Sequence, residues 1–303
     1  MRRVPLVALV AALGLGACRA RAGRPTVGVA LAATAPAVAA ELERGMRQVH
    51  DSLGLALRVV RGDAARQAAQ VDSLVARRVR AIILEPADPA GGGGVAAAIA
   101  RAQRAGVPVF TVETPVPDAP VVSHIGSDAR GAGELLAWYL ARRLGGGGNV
   151  AILDQPAVAR ARAFGAGFRL VLARFPNVRI VANPAVDPGT RAAAERRTAA
   201  LLAADQSVNA VAAPDAELAL GALAALQAAG RTDVLVAGYG VTPEIQAAIA
   251  RGTPFVAAAR PQAGTVGRYA IEVAASHLRG NRVMAFVPVP VRLVDRDSLV
   301  AGR

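Results

Sequence analysis

Residues able to act as nucleophiles, bases or metal ligands are few and widely separated in this 303-residue chain. The three histidines, His50, His124 and His277, share no ligand spacing. Cys18 is the only cysteine, which excludes a disulfide framework and a thiolate metal cage. There is no G-x-S-x-G elbow to expose a serine and no H-E-x-x-H to hold zinc. Acid pairs such as Glu41 and Glu43 lie in an amphipathic stretch, where a solvated helix face accounts for them. Neither Gly91–Gly94 nor Gly145–Gly148 is followed by Lys-Ser or Lys-Thr, so the phosphate-cradling P-loop is absent. The first glycine run suits a turn between strand and helix, the second a left-handed helix end. These residues imply no catalytic group, no metal and no cofactor. The chemistry expected is binding.

Charge is abundant but poorly focused. All 35 basic residues are arginine, the net charge is +13, and the isoelectric point is about 11.5. Nucleic-acid binders gather cations on one face and often interleave aromatics. Here the densest spots are only Arg77-Arg78, Arg142-Arg143 and Arg196-Arg197, and aromatics make up 3%. No nucleic-acid partner is expected. With 53% hydrophobic and 19% charged residues the chain has enough apolar mass to fold into a core.

The amino terminus carries a more specific signal. Arg2-Arg3 precedes an uncharged apolar stretch, Val4 to Ala17, too short for the roughly 20 residues that span a bilayer. It fits the h-region of an export signal. The stretch ends Leu15-Gly16-Ala17-Cys18, which resembles the lipobox of bacterial lipoproteins. That resemblance implies a signal peptide over residues 1–17, lipidation of Cys18, and a polar tether over 18–25. The protein is then exported and lipid-anchored to a bacterial membrane, facing the periplasm or the cell exterior. No later stretch is long and apolar enough to span, so membrane contact is expected through the lipid alone.

From Thr26 onward, short apolar runs alternate with amphipathic stretches. The pattern predicts strands over 26–31, 56–61, 81–84, 107–112 and 121–125, with helices over 38–53, 65–77 and 95–105 between them. After Ser127-Asp128 a second set predicts strands over 149–153, 178–181, 210–213, 234–239 and 255–258. Its helices fall near 161–173, 190–204, 218–229 and 243–250, after a helix opening at Arg130 with Asp128 as N-cap. Two such sets define an α/β fold: two doubly wound, Rossmann-like parallel-sheet domains, with ligand expected at the carboxyl ends of the strands.

Several segments, taken in order, carry a resemblance. They are Val27–Leu31, Glu43-Arg44-Gly45, Val75–Pro86 (VARRVRAIILEP), Ala105–Val109 (AGVPV) and, most closely, Val121–Asp128 (VVSHIGSD). Phe164–Phe168 (FGAGF), Glu217–Leu223 (ELALGAL), Asp233–Gly238, Thr242-Pro243 and Val287–Val294 (VPVPVRLV) continue the series. Together they resemble the ribose-type periplasmic sugar-binding proteins, a type I solute-binding fold. The resemblance implies two lobes, 26–127 plus 262–290 and 128–261 plus 291–303, joined by three crossings. The crossings fall near Ser127-Asp128, Pro261-Gln262 and Val289-Pro290, with Ser127, Asp128 and Pro261 as hinge residues.

The same resemblance points to pocket residues, and these depart from the family. Two Phe after the first strand are replaced in Thr34-Ala35-Pro36-Ala37-Val38, which leaves Thr34 as the polar candidate. An Asp-Arg pair after the fourth strand becomes Glu113-Thr114, so the carboxylate is kept and the arginine lost. Arg162 and Phe164 stand near the family's next arginine, and Val186 or Asp187 replaces an aromatic. Asp215 aligns with an asparagine, Tyr239 with a Phe, and Arg260 or Gln262 lies beside a glutamine position. The expected pocket keeps two acids, Glu113 and Asp215, and two rings, Phe164 and Tyr239. With no arginine in place, it suits a neutral or cationic polyol-like ligand better than an anion. The function implied is a monomeric solute-binding protein that closes on a small polar ligand, such as a sugar or polyol, and delivers it to an ABC permease. The competing reading is a ligand-sensing subunit for a chemoreceptor or sensor kinase.

Overall fold

The computed structural model describes residues 23–88 and 93–301. Cys18 and the expected export signal over residues 1–17 lie outside the described residues.

The first sheet collects short apolar runs with almost no exposed face. β1 (Thr26–Ala32), β3 (Ala81–Leu84) and β4 (Val109–Val112) are buried nearly throughout. β2 (Ala56–Gly62) is the half-exposed edge strand on one side. β5 (Ser123–Ser127) follows β4 and pairs with it in parallel. A strand fully buried on both faces needs helices on both faces. α1 (Pro36–Val49), α2 (Ala64–Ala76) and α3 (Val95–Arg104) supply them together with α9 (Ala263–Leu278), from much later in the chain. α3 opens on Gly94 at φ +75°, left-handed backbone that glycine enters without steric cost.

The second sheet repeats the pattern. It contains β6 (Gly147–Ile152), β7 (Asn177–Ala182), β8 (Val208–Ala213), β9 (Leu235–Tyr239) and β10 (Phe255–Arg260). Its covering helices are α4 (Ala129–Arg143), α5 (Ala159–Leu172), α6 (Arg191–Ala204), α7 (Ala216–Ala228) and α8 (Pro243–Ala250). Polar caps fix where several of these start. Asp128 accepts from Gly131 N at 2.8 Å, Thr190 from Ala193 N and Thr242 from Ile245 N. α4 begins at Ala129, one residue before the sequence-based start.

Strand order is β11-β5-β4-β3-β1-β2 in one sheet and β12-β10-β9-β8-β6-β7 in the other, where β11 is Phe286–Val289 and β12 is Arg292–Asp295. The closing VPVPVRLV segment thus contributes to two strands, one in each sheet, divided at the expected crossing near Val289-Pro290. Pro290 carries no N–H for a ladder, and the chain changes sheet there. β12 pairs antiparallel with β10, the one departure from parallel pairing among the described strands. The backbone passes between sheets after β5, after β10 and after β11. α10 (Arg296–Ala301) ends the described chain and buries no residue fully.

Each lobe has apolar clusters on both faces of its sheet. Glycines let paired helices touch along their backbones. A Cβ at Gly167 of α5 would sit 2.1 Å from Arg130 O, and one at Gly133 of α4 would sit 2.0 Å from Phe164 O. That reciprocal contact explains the small residues in FGAGF.

Candidate functional site

Both sheets end, at their carboxyl edges, in polar residues that face one another. In the first lobe, Val112 closes β4 and Glu113 follows at φ +58°. A left-handed non-glycine residue costs about 1–3 kcal/mol and persists only where its surroundings hold it. Here Glu113 N donates to Ile125 O at 3.0 Å, and the Glu113 carboxylate accepts from Ser127 N (3.3 Å) and Ser127 Oγ (3.1 Å). The turn aims an acid away from the sheet and ties it to the first crossing.

Glu85, immediately after β3, stands beside it and went unrecognised in the sequence. It is 4% exposed, and its Oε2 accepts from Ala32 N at 3.0 Å. The buried Gln67 amide clamps the same turn, donating to Glu85 O at 2.6 Å and accepting from Ala87 N at 2.9 Å. Burial pushes the Glu85 carboxyl up to about 7; the Ala32 N–H opposes this and the nearby Glu113 charge adds to it. Glu113 is also raised by burial, offset by its bonds to Ser127 and by the Arg160 guanidinium. The available signal was the order of residues: an acid and a proline directly after a four-residue strand with no exposed face.

The second lobe supplies the opposing groups. Asp215 follows β8 and caps α7, accepting from Glu217 N at 2.9 Å, while its other oxygen accepts from Arg160 at 3.0 Å. Arg160, in the first turn of α5, lays its guanidinium over the Tyr239 ring, 5.1 Å from the centroid. Tyr239 ends β9 and is 4% exposed. Burial pushes its phenol up to about 12, and the Glu113 charge pushes the same way. Arg160 and Ser127 act in the opposite sense on Tyr239. Glu113 and Ser127 of one lobe are therefore within electrostatic reach of Arg160 and Tyr239 of the other.

The other expected residues fall into three places. Phe164 is a correction: it is fully buried and stacks on Phe168 at 5.9 Å in the core beneath α4 and α5, so it offers the cleft no ring. Gly133 of α4 packs on the Phe164 carbonyl and Gly167 of α5 on that of Arg130, so the two helices touch at this point and the Phe164 ring lies in the core. Arg162 is exposed, and its guanidinium turns back to Pro156 O at 2.7 Å. Thr34 and Asp187 are exposed in the loops after β1 and β7. Thr114 is half-buried beside Glu113, and its N–H bonds Val112 O. Arg260, Pro261 and Gln262 form the second crossing, where the Gln262 amide donates to Pro261 O at 3.2 Å. The second position after β4 is Thr114 and carries no arginine, but Arg160 reaches this set from the first turn of α5 in the other lobe.

This set can form many hydrogen bonds and activates no nucleophile. Three carboxyl groups accept, while Arg160, Tyr239 and Ser127 donate. Among the described residues no group of His, Cys, Asp and Glu could hold a metal ion. Two α/β lobes with facing polar edges at their strand ends, joined by three crossings, define a two-lobed binding protein. Residues 27–282 match the periplasmic binding protein domain family. A ribose import binding protein of Salmonella typhimurium is 32% identical over 259 residues, covering 84% of this chain and 86% of that protein. A solute-binding protein from Mycobacterium smegmatis, solved with bound glycerol, is 31% identical, with TM-score 0.69 over 92% of this chain and 96% of the other. A periplasmic ribose ABC transporter protein of Conexibacter woesei has the same fold, with TM-score 0.81, 24% identity and coverage of 92% and 94%. The chain belongs to the periplasmic binding protein domain family, whose members bind substrates for transport and are not enzymes.

Proposed function

We propose that this protein is the exported solute-binding component of an ABC importer, that it captures a neutral sugar or polyol by closing its hinge, and that Cys18 anchors it through lipid. The observation that carries the ligand class is the facing pair of polar walls, Glu113–Ser127 against Arg160–Tyr239–Asp215. Carboxylates and a guanidinium at strand ends suit a solute with several hydroxyls, since each hydroxyl both donates and accepts. The ring in this set is that of Tyr239, and Arg160 already covers one face of it. Hydroxyl recognition therefore outweighs ring stacking, which favours small polyols and pentoses over large hexose rings. The relatives support this range: they are named for ribose, xylitol and D-apiose. Delivery to a permease, rather than signalling, is supported by the import role in the names of the ribose and D-apiose relatives.

The direct test is a thermal-shift panel of pentoses, hexoses, inositol, xylitol, glycerol and charged amines and acids. A ligand at about 100 times its Kd stabilises the folded state by about 2.7 kcal/mol, or roughly 5–10 °C for a lobe of this size. At least one neutral polyol should do so, and Glu113→Gln should abolish the shift. Hits confined to charged compounds would overturn the ligand class. The anchor is checked separately in a bacterial host. Labelled palmitate should enter the wild-type chain and not Cys18→Ala, and equal labelling of both would refute lipidation at this residue.

A further inference from the structure

A depression of about 600 Å³ lies beside the second and third crossings and takes its walls from both lobes. Arg44 enters from α1, Arg268 from α9, Arg260 from the end of β10 and Arg292 from β12, with Glu41 and Thr265 between them. None of these is among the residues that form the polar walls at the strand ends. Four arginines thus line a concavity whose lining holds one acidic residue.

Elsewhere on the surface some arginines of this chain are matched with acids and others, such as Arg179, stand singly on exposed ground. Arg101 pairs with Asp72, Arg191 with Glu217 and Glu244, and Arg231 with Asp233. In the depression only Arg268 is matched, to Glu272 on its own helix at 3.2 Å, and its guanidinium also covers Tyr269. Among the described residues Arg44, Arg260 and Arg292 have no carboxylate partner, and neither Glu41 nor Thr265 offers them a bond. Like charges gathered in a concavity raise the local potential and concentrate counter-ions. Guanidinium groups also present a fork that matches two oxygens of one carboxylate or phosphate. The volume lies within the range of small-molecule sites, about 300–1,000 Å³.

We propose that this depression is an anion-binding site, separate from the sugar cleft, that takes a small molecule with two or more phosphate or carboxylate groups. Its arginines come from opposite sides of the crossings, so the anion ties the two lobes together on the hinge flank. A free anion and an anionic lipid headgroup carry the same chemistry, and the assay separates them.

Inorganic pyrophosphate is titrated calorimetrically into the full-length exported chain at about 10 mM ionic strength, where screening extends over roughly 30 Å. The wild type should bind one equivalent, and Arg44→Gln/Arg292→Gln should weaken binding at least tenfold. Arg179→Gln, an exposed and unpaired arginine on β7 at the opposite sheet edge, should leave it unchanged. If the double variant melts early, Arg44→Lys/Arg292→Lys keeps the charge and should still weaken binding severalfold by losing the fork. Flotation of the Cys18→Ala chain, which carries no lipid of its own, with phosphatidylglycerol vesicles against phosphatidylcholine vesicles identifies the source. Capture by the former that pyrophosphate competes away assigns a headgroup, and pyrophosphate binding without capture assigns a free anion. No pyrophosphate binding, or equal weakening by Arg179→Gln, would overturn the site.

Discussion

Glu85 is a residue whose charge the fold tolerates poorly. Its carboxyl sits at about 7 in the folded protein because burial opposes ionisation, against an ordinary value of 4.5. Between those two values the folded state holds the proton more tightly than the unfolded chain. Stability contributed by the neutral acid is therefore complete below pH 4.5 and declines as pH rises toward 7. The full loss is of order 3 kcal/mol. His124 acts in the opposite direction. Burial lowers it to about 4 from 6.5, so its neutral form stabilises the protein as pH rises through that window. The two slopes oppose each other over most of this range, and a wild-type profile alone hides both. Glu85→Gln isolates one of them, because the amide oxygen still accepts the Ala32 N–H while the charge is gone. Its melting temperature should match wild type near pH 4.5 and exceed it by several degrees at pH 8. A constant offset at both values would mean that Glu85 does not bury its charge.

The elements were largely legible in the sequence, since strands buried on both faces read as short apolar runs and the amphipathic stretches between them as helices. Asp128 shows the reading at its best: a small acid before an apolar period, found in the structure as the cap of α4 at 2.8 Å. What stayed hidden depends on partners distant in sequence. α9 is nearly continuous in apolar and small residues because it packs on α1 through glycine contacts, and that helix was not singled out. A Cβ at Gly45 would lie 1.8 Å from Gly264 O, a constraint invisible until both helices are placed. Phe164 misled for the same reason. Its motif fits the family, but the tight α4–α5 contact turns the ring inward. Arg160 lies two residues before Arg162, and only the placement of α5 shows that Arg160 reaches Tyr239 and Asp215 while Arg162 turns back to Pro156 O. Within the candidate site, Glu113 and Asp215 follow from strand ends read off the sequence. Glu85 needed the knowledge that its carboxylate bends back to Ala32 rather than outward to water.

At the scale of the whole molecule, neither lobe is a continuous piece of chain. The first sheet is completed by β11 on the outer side of β5, and the second by β12 on the outer side of β10. A segment of ten residues, Phe286–Asp295, therefore supplies an edge strand to each lobe. Removing it would bare the outer edges of β5 and β10, leave Val289 and Val294 out of their cores, and expose unpaired backbone that invites association. α10 beyond it buries nothing fully and holds on chiefly through Ser298, whose N–H and hydroxyl bond Asp295. Two shortened chains separate these contributions. A chain ending at Asp295 should keep a cooperative melt, lowered only by the packing of Leu299 and the lost turn. A chain ending at Gly280 retains all of α1 to α9 yet should melt without cooperativity in either lobe and aggregate on expression. Circular dichroism melts and size-exclusion profiles of the two proteins would decide. A cooperative, monomeric chain ending at Gly280 would mean that each lobe closes its core without its late strand, and that the third crossing serves the hinge alone.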